Sequence, residues 1–553
     1  MANRFARTAI FASLSLLALA VPPPVHPQEV DWERGALGAV RNVLDNHYTR
    51  RMTSDVSSVA CLAQRGDTCF GGDHWDRACM RVVPCRTPAA MRQFISELQR
   101  LGTSRPRDPL AVAHSVYGLV RLGQMGPAVM IAEQCRAADW WCDLVLGMAH
   151  HRSGGSALAD SHYRSALLRG DPELTCLLTD ITNLVEGRDA ASYRRLPCPS
   201  QARSAFEDRF WWLSDPFLTR PGNDRWTEHV TRRIELVLDG QLGARGGDNR
   251  RSVDAVTRRG HPDSWMQRMR QIDFWKSVAA ARYQFTPASL AGDGVQALRY
   301  ELEAGRWDEG YTPLEYGPVF EVNGQVARFL EGDSLFLAAA ADLDGAPFDP
   351  RDIRFAATEG ATGYRASRGG TPGSQSPTFT LAVPQTAMLV AIEAFGERGD
   401  AARMRQGVLP LAANAVAVSD VLVLDPRLAE LPANREEAVG SMHPQTWIGN
   451  ANELVVYWEI YGLRTDETVE ITVALQSGGA GLVTRIMRTL GGQTTAPATT
   501  GSWTEPVSGP VHAMAMTVDV DRLEQGDYDL NIDIRGPDGS TASTVRRVRL
   551  GRR

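Results

Sequence analysis

The period of the apolar positions changes once along the chain. As far as Leu238 they recur at helical spacing, and from Val319 onward they alternate. In the first region Leu37, Val40, Val43 and Leu44 predict a helix within 31–48. Met91, Phe94, Ile95 and Leu98 form the stripe of another at 88–101. From Asp108 the pattern is helix–turn–helix. Phe206, Phe210 and Leu213 line one face of a helix at 205–213, which Asp215-Pro216 breaks, because a residue before proline is pushed out of helical backbone. Asn223 or Asp224 caps the next helix, with apolar positions Trp226, Val230, Ile234, Val237 and Leu238. Glu228 and Arg232 stand four apart on its polar face, a surface pair worth roughly 0.3 kcal/mol. Residues 52–87 read as loop and 265–310 as mixed helix and loop.

The alternating region predicts strands at 318–323, 326–330, 334–341, 352–357, 377–383, 387–394 and 403–411. A second set follows at 418–424, 453–461, 468–475, 482–489, 511–520, 527–534 and 543–550. Two such sets point to two antiparallel β-sandwiches of immunoglobulin-like type. An internal echo supports a duplicated module: Ile392, Gly396, Gly399, Ala402 and Val408 recur as Ile532, Gly536, Gly539, Ala542 and Val548, at a constant offset (532 − 392 = 140). Tyr528, after Leu523 and Gly526, stands where such sandwiches place a corner tyrosine. The fold class is therefore multi-domain α + β. A Cys-rich helical/loop region (21–107) and helical repeats (108–204) precede a helical/mixed segment (205–315) and sandwiches at 316–417 and 418–553.

Composition adds compartment. The chain has 553 residues and a net charge of −6, which argues against a nucleic-acid partner, since that needs a basic face. Arg4 and Arg7, the apolar run Thr8 to Leu19 and Ala18-Leu19-Ala20 read as a cleaved secretory signal over 1–20. The run is too short to span a membrane, and no later stretch predicts a span in the mature chain. Cys61, Cys69, Cys79, Cys85, Cys135, Cys142, Cys176 and Cys198 all precede residue 200. An even count behind a secretory signal favours disulfides, and proximity suggests the pairs 61–69, 79–85, 135–142 and 176–198. The destination is the periplasm or cell surface.

Two resemblances follow from longer patterns. Leu146-Gly147, then Ala159, Tyr163 and Ala166, then Pro172, resemble a tetratricopeptide repeat over 140–173, where small residues let two helices approach and the aromatic fills the groove. Tyr117-Gly118 with Ala128 suggests a weaker copy before it, and Cys176 to Val185 the start of a third. The stretch RFWWLSDPFLTRPGNDRWTEHVTRRIELVL, from Arg209 to Leu238, resembles the opening of the GWxTD-domain family, on Phe210, Trp211, Asp215, Pro216, Thr219, Asn223, Glu228 and Arg232. Gly260, Pro262 and Asp263 match its later turn. Ser419–Leu424 and Glu453–Leu463 match two further signatures. Residues 244–251 stand where that family carries its naming motif and hold neither Trp nor Thr-Asp. The resemblance, over about 205–553, implies a secreted bacterial envelope protein.

Candidate chemistry is sparse. Glu228, His229, His261 and Asp263 are the residues that would serve a hydrolase or a metal-dependent enzyme at this segment, if they converge. His150-His151 ends a repeat helix and reads as surface. Gly332-Asp333-Ser334-Leu335 spells an esterase string but lies between two strand patterns, as a turn. No phosphate loop, dinucleotide fingerprint or calcium loop occurs, so no cofactor or metal is assigned. The aromatic run from Trp211 to Tyr316 reads first as core; a glycan surface would need several of its tryptophans exposed in one plane. The expected function is non-catalytic: a binding or scaffold protein engaging a protein partner through 108–200. An enzyme at the GWxTD-like segment and a carbohydrate-binding protein are the alternatives.

Overall fold

The computed structural model describes residues 92, 95–185, 189–238, 257, 319–360, 365–411, 415–449, 452–477 and 500–551, and the backbone alone of helix residues 88–91, 93–94 and 187–188, of strand residue 499 and of four short strands. The chain clusters into two units, Met1–Ser58 and Val59–Arg553. The first, with the secretory signal and the 31–48 helix, lies outside the described residues.

The second unit is mixed: helices dominate its first part, and several β-sheets follow. The four short strands are β1 (Ala63–Arg65), β2 (Thr68–Gly71), β3 (Ser264–Arg268) and β4 (Gln271–Trp275), paired in that order. The sequence reads these stretches as loop and mixed helix. Pairing of β2 with β3 across a long sequence separation is a tertiary event that no local pattern announces.

The helices are α1 (Pro88–Ser104), α2 (Pro109–Arg121), α3 (Met125–Glu133), α4 (Asp139–Arg152), α5 (Ser156–Arg169), α6 (Pro172–Thr179), α7 (Gly187–Tyr193), α8 (Gln201–Ser214) and α9 (Asp224–Leu238). Asp-Pro starts two of them. Asp108 accepts from the N–H groups of Leu110 and Ala111, and Asp171 from those of Glu173 and Leu174, with the proline in the first turn where its missing N–H costs nothing. Helices α4 and α5 approach closely because Gly147 has no side chain: a Cβ there would lie 2.5 Å from Cε1 of Tyr163. Disulfides Cys135–Cys142 and Cys176–Cys198 form as expected; Cys61, Cys69, Cys79 and Cys85 have side chains outside the described residues.

Helix α9 lies across α2, α4 and α6, and also packs on α5 and α8. All its residues except Val237 are buried. The sequence puts Glu228 and Arg232 on a solvated face. They are instead inside, because neighbours cover the helix on all sides.

In the first β region, β10 (Thr378–Pro384), β7 (Ser334–Ala341) and β6 (Gly324–Glu331) form one sheet. Another runs β5 (Val319–Glu321), β12 (Ala401–Val408), β11 (Met388–Phe395), β8 (Asp352–Thr358), β9 (Arg365–Gly369). The two share a core that includes Leu337, Phe355, Phe379 and Ile392. In the second region β13 (Ala417–Val418), β14 (Leu422–Val423) and β19 (Val511–Asp519) all pair with β16 (Glu453–Tyr461). The larger sheet runs β15 (Trp447–Ile448), β21 (Thr541–Leu550), β20 (Gly526–Arg535), β17 (Thr468–Ser477), β18 (Thr499–Pro506). Their core includes Trp458, Ile471 and Ile532. The strand expected at 482–489 lies outside the described residues.

The five-stranded sheets correspond. Each opens with a short edge strand parallel to its last strand, β5 on β12 and β15 on β21. The echoed hairpins share register as well: Phe395 faces Ala401 and Arg535 faces Thr541. Gly396 N–H donates to Asp400 O, and Gly536 N–H to Ser540 O, both at 2.8 Å. Gly399 and Gly539 take the left-handed conformation at φ 80° and 83°. Tyr528 donates to Glu524 O at 2.8 Å.

A third apolar cluster joins the regions. Phe329, Ala338 and Ala340 from β6 and β7 meet Leu422, Val455 and Tyr457 from β14 and β16. Strands β7 and β16 are thus covered on both faces, which is why SLFLAAAA and ELVVYWEIY read as nearly unbroken apolar runs. Beside this cluster the buried Glu459 carboxylate accepts from the hydroxyls of Tyr457 and Tyr461, both at 2.7 Å, and from Arg435. Gly332 sits at the turn between β6 and β7, and Ser334 opens β7, so the esterase string is a hairpin.

Candidate functional site

The third Asp-Pro of the helical region starts no helix. Asp215 accepts from Phe217 N–H at 3.1 Å, and the chain turns outward to meet β11 and β12. Phe217 packs on Phe395 at 5.0 Å between ring centres. The buried Glu393 carboxylate accepts from Leu218 N–H (2.7 Å), Thr219 N–H (2.9 Å) and the Thr219 hydroxyl (2.5 Å). Arg403 donates to Pro216 O, Arg405 to Asp215 O and Arg365 to Leu218 O. Burial drives the Asp215 carboxyl well above its usual range; Arg405 offsets part of this and Asp224 adds to it. Asp215, Pro216 and Thr219 therefore fasten the helices to the first β region.

The remaining motif residues position α8 and α9. Asn223 donates to Trp211 O (2.6 Å) and accepts from Trp226 N–H (2.9 Å), tying the end of one helix to the start of the other. Phe210 is fully buried, edge-on to Trp211. Glu228 accepts from His151 Nε2 (2.6 Å), Arg152 (3.0 Å) and Arg232 (2.5 Å), and Arg232 also donates to Thr257 O. Burial alone would raise the Glu228 carboxyl, but Arg152, Arg232 and His151 together hold it well below the usual range. Arg152 also pairs with Glu235 (2.8 Å).

Of the four candidate catalytic residues, Glu228 and His229 are described and do not form a pair. Adjacent helix positions point about 100° apart. His229 turns to Trp211, 5.0 Å between ring centres, where burial, then Arg233 and Arg232, hold it neutral. His261 and Asp263, with Gly260 and Pro262 of the later turn, lie outside the described residues. The partner of Glu228 is His151, which the sequence reads as surface. It is buried because α9 covers the end of α4. His151, Arg152 and Glu235 were not legible as a cluster; their helices meet only in the tertiary fold.

A cleft of about 790 Å³ opens where α5, α8 and the end of β8 and start of β9 come together. Helix α8 supplies a lining residue on each turn, including Arg203, Glu207, Asp208 and Trp212. Trp211, Trp212 and Trp226 are only 5–6% exposed. The Arg164 guanidinium lies over Trp226 at 4.6 Å, and Trp212 Nε1 donates to Thr358 at 2.8 Å. These three tryptophans are wall and core and form no exposed aromatic plane; the side chains of Trp265, Trp275 and Trp307 lie outside the described residues.

No helix among the described residues is long and apolar enough to cross a membrane. No family model matches the chain, nor does any curated protein. Solved structures give distant similarities. A 1.5-MDa bacterial ice-binding adhesin is 8% identical with TM-score 0.13, over 40% of this chain and 59% of that one. Red sea bream transglutaminase is 11% identical with TM-score 0.14, over 52% and 37%. A DUF3823 family protein from Bacteroides ovatus is 9% identical with TM-score 0.17, over 42% and 100%. The chain thus spans less than two thirds of the adhesin and of the transglutaminase.

Proposed function

We propose that the protein is a non-catalytic binding or scaffold protein of the bacterial cell envelope, secreted to the periplasm or cell surface, that engages a protein partner through its helical half. One observation carries this reading: the described polar motif residues are spent on internal bonds. Glu228 is sealed among His151, Arg152 and Arg232, and Thr219 is bound to Glu393. A catalytic constellation would instead converge on an open pocket. Two disulfides favour an oxidising compartment.

In this reading the helix pairs are tetratricopeptide-like, supported by Gly147 against Tyr163. Residues 205–553 follow the GWxTD-domain pattern. The two β regions are immunoglobulin-like sandwiches, supported by the matching strand orders and by the Tyr528–Glu524 bond. Helix α9 fills the inner face of the helical half, so the accessible surface within 108–200 lies on its outer side, which includes the exposed face of α5 and the cleft beside it.

The test is site-specific photo-cross-linking of the tagged full chain in its host's envelope. A photoreactive residue at Leu168 should capture one dominant protein, and one at Val545, exposed on β21, should not. Equal, diffuse capture at both positions, or none at either, would end the scaffold reading.

A further inference from the structure

The acids that line the cleft beside α8 are unevenly paired. Four carboxylates line it: Asp160, Glu207, Asp208 and Asp215. Asp160 holds Arg164 at 2.7 Å. Glu207 accepts from Arg203 (2.9 Å) and from the Tyr193 hydroxyl (2.5 Å). Asp215 accepts from Phe217 N–H. Among the described residues, Asp208 alone of these four makes no hydrogen bond and no ion pair, and it lies exposed at the wall. Of the arginines in the lining, Arg164 and Arg203 are paired with carboxylates, and Arg365, on the far wall, donates to Leu218 O. Burial raises the Asp208 carboxyl and Arg164 only partly offsets it, as expected of an acid lacking its own counter-ion.

The lip of the cleft is apolar. Leu168 is 87% exposed, the most exposed large hydrophobic side chain among the described residues, and Leu167, Pro172 and Pro199 stand near it in the lining. The cleft follows α8, whose 14 residues extend over about 21 Å. At about 3.3 Å per residue, that length accepts roughly six residues of extended chain. Arg209 lies over Trp212 and Arg164 over Trp226, and with Trp211 these rings are only 5–6% exposed, which leaves little ring surface for a sugar to stack on.

We infer that this cleft binds an extended polypeptide segment of a partner protein, seating a lysine or arginine on Asp208 and a neighbouring apolar side chain against Leu168. The inference rests on the proposed binding function and specifies the chemistry of its partner. Unmatched negative charge in a half-enclosed groove selects a cation, and an extended chain supplies charge and apolar side chains at the spacing the groove offers.

The experiment uses the oxidised full chain as bait for a phage-displayed library of random linear heptapeptides. Enriched sequences should share a basic residue next to an apolar one. A synthetic peptide of that consensus should bind at least about tenfold more weakly to the Asp208→Asn protein. Asp208→Glu should keep most of the affinity, and Leu168→Ser should lose several-fold, whereas Leu158→Ser, outside the cleft, should lose none. Asp208 and Leu168 are exposed, so the unfolding midpoints of these variants should match the parent and certify folding. Enriched peptides without a basic residue, or binding indifferent to Asp208→Asn, would overturn the inference. So would binding of a neutral oligosaccharide in place of peptide. If no peptide is enriched while Leu168 still cross-links one partner in the envelope, the cleft chemistry falls and the scaffold reading stands. If both fail, both fall.

Discussion

Thr219 donates to Glu393 twice, through its backbone N–H at 2.9 Å and its hydroxyl at 2.5 Å, across 174 residues of sequence. Leu218 N–H fills the other oxygen. One buried carboxylate thus satisfies three donors and fixes the helical region on β11.

Removing that carboxylate strands the donors in a buried site. Glu393→Ala should cost about 3–5 kcal/mol, since an unmet buried donor loses its full desolvation energy. Thr219→Val, which removes only the hydroxyl, should cost about 1 kcal/mol. Urea midpoints at unchanged slope measure both. A Glu393→Ala shift no larger than that of Glu397→Ala, at an exposed acid on the same hairpin, would contradict the assignment.

Acid should weaken the protein in two stages. His229 is held neutral when folded, so below 6.5 the unfolded chain takes up the extra proton and stability falls with pH. Glu228 is held ionised: its contribution is present above 4.5 and is lost as pH falls through its lower folded value. Asp215 has the opposite sign, because its raised folded value makes stability fall as pH rises above 3.8. His229→Phe should flatten the stability profile just below pH 6.5. Asp215→Asn, which keeps the acceptor for Phe217 N–H, should raise stability at neutral pH more than in acid. Profiles parallel to the parent's would remove both groups from the account.

The disulfides differ in the loop they close, 22 residues apart for Cys176–Cys198 and 7 for Cys135–Cys142. Loop entropy alone gives about 3 kcal/mol for the longer and about 2 kcal/mol for the shorter. Paired Cys→Ser replacements, compared by thermal unfolding, should rank in that order. Peptide mapping without reductant should recover both linked pairs, and recovery of either as free thiols would refute the pairing.

If the hairpins at Gly399 and Gly539 are copies of one module, the same substitution should act alike in both. Alanine at a left-handed position costs about 1–2 kcal/mol, so Gly399→Ala and Gly539→Ala should destabilise by similar amounts. A large inequality would mean that the two turns share sequence without sharing a structural role.

Much of this fold was legible in the sequence, for local reasons. Asp108-Pro109 and Asp171-Pro172 announced helix starts through their own caps. The recurrence of Gly399 as Gly539 located a hairpin twice. Elements whose signal lies in their partners were hidden. Strands β9, β15 and β18 are edge strands, short or rich in polar residues, with little apolar alternation to betray them. Burial of α9 was hidden too, since its charges look solvated until His151 and Arg152 arrive from another helix. At the candidate site the motif residues were visible by pattern. Their duty as fasteners appeared only with Glu393 and Arg403, which carry no motif. Asp208, one residue before the motif stretch, and Leu168, within the repeat-like stretch but outside its pattern, gave no sequence signal.

Strands β7 and β16 are each covered on both faces, one face by their own core and the other by the neighbouring region. Many surface proteins string their sheet modules like beads, so that one can open under load while the next stays shut. Here the beads share a wall. Peeling the first β region away would bare the outer side of β16, and peeling the second would bare that of β7. A pull on the chain should therefore meet one stiff strut that gives way in a single large step, without the staircase of equal events that separate modules produce.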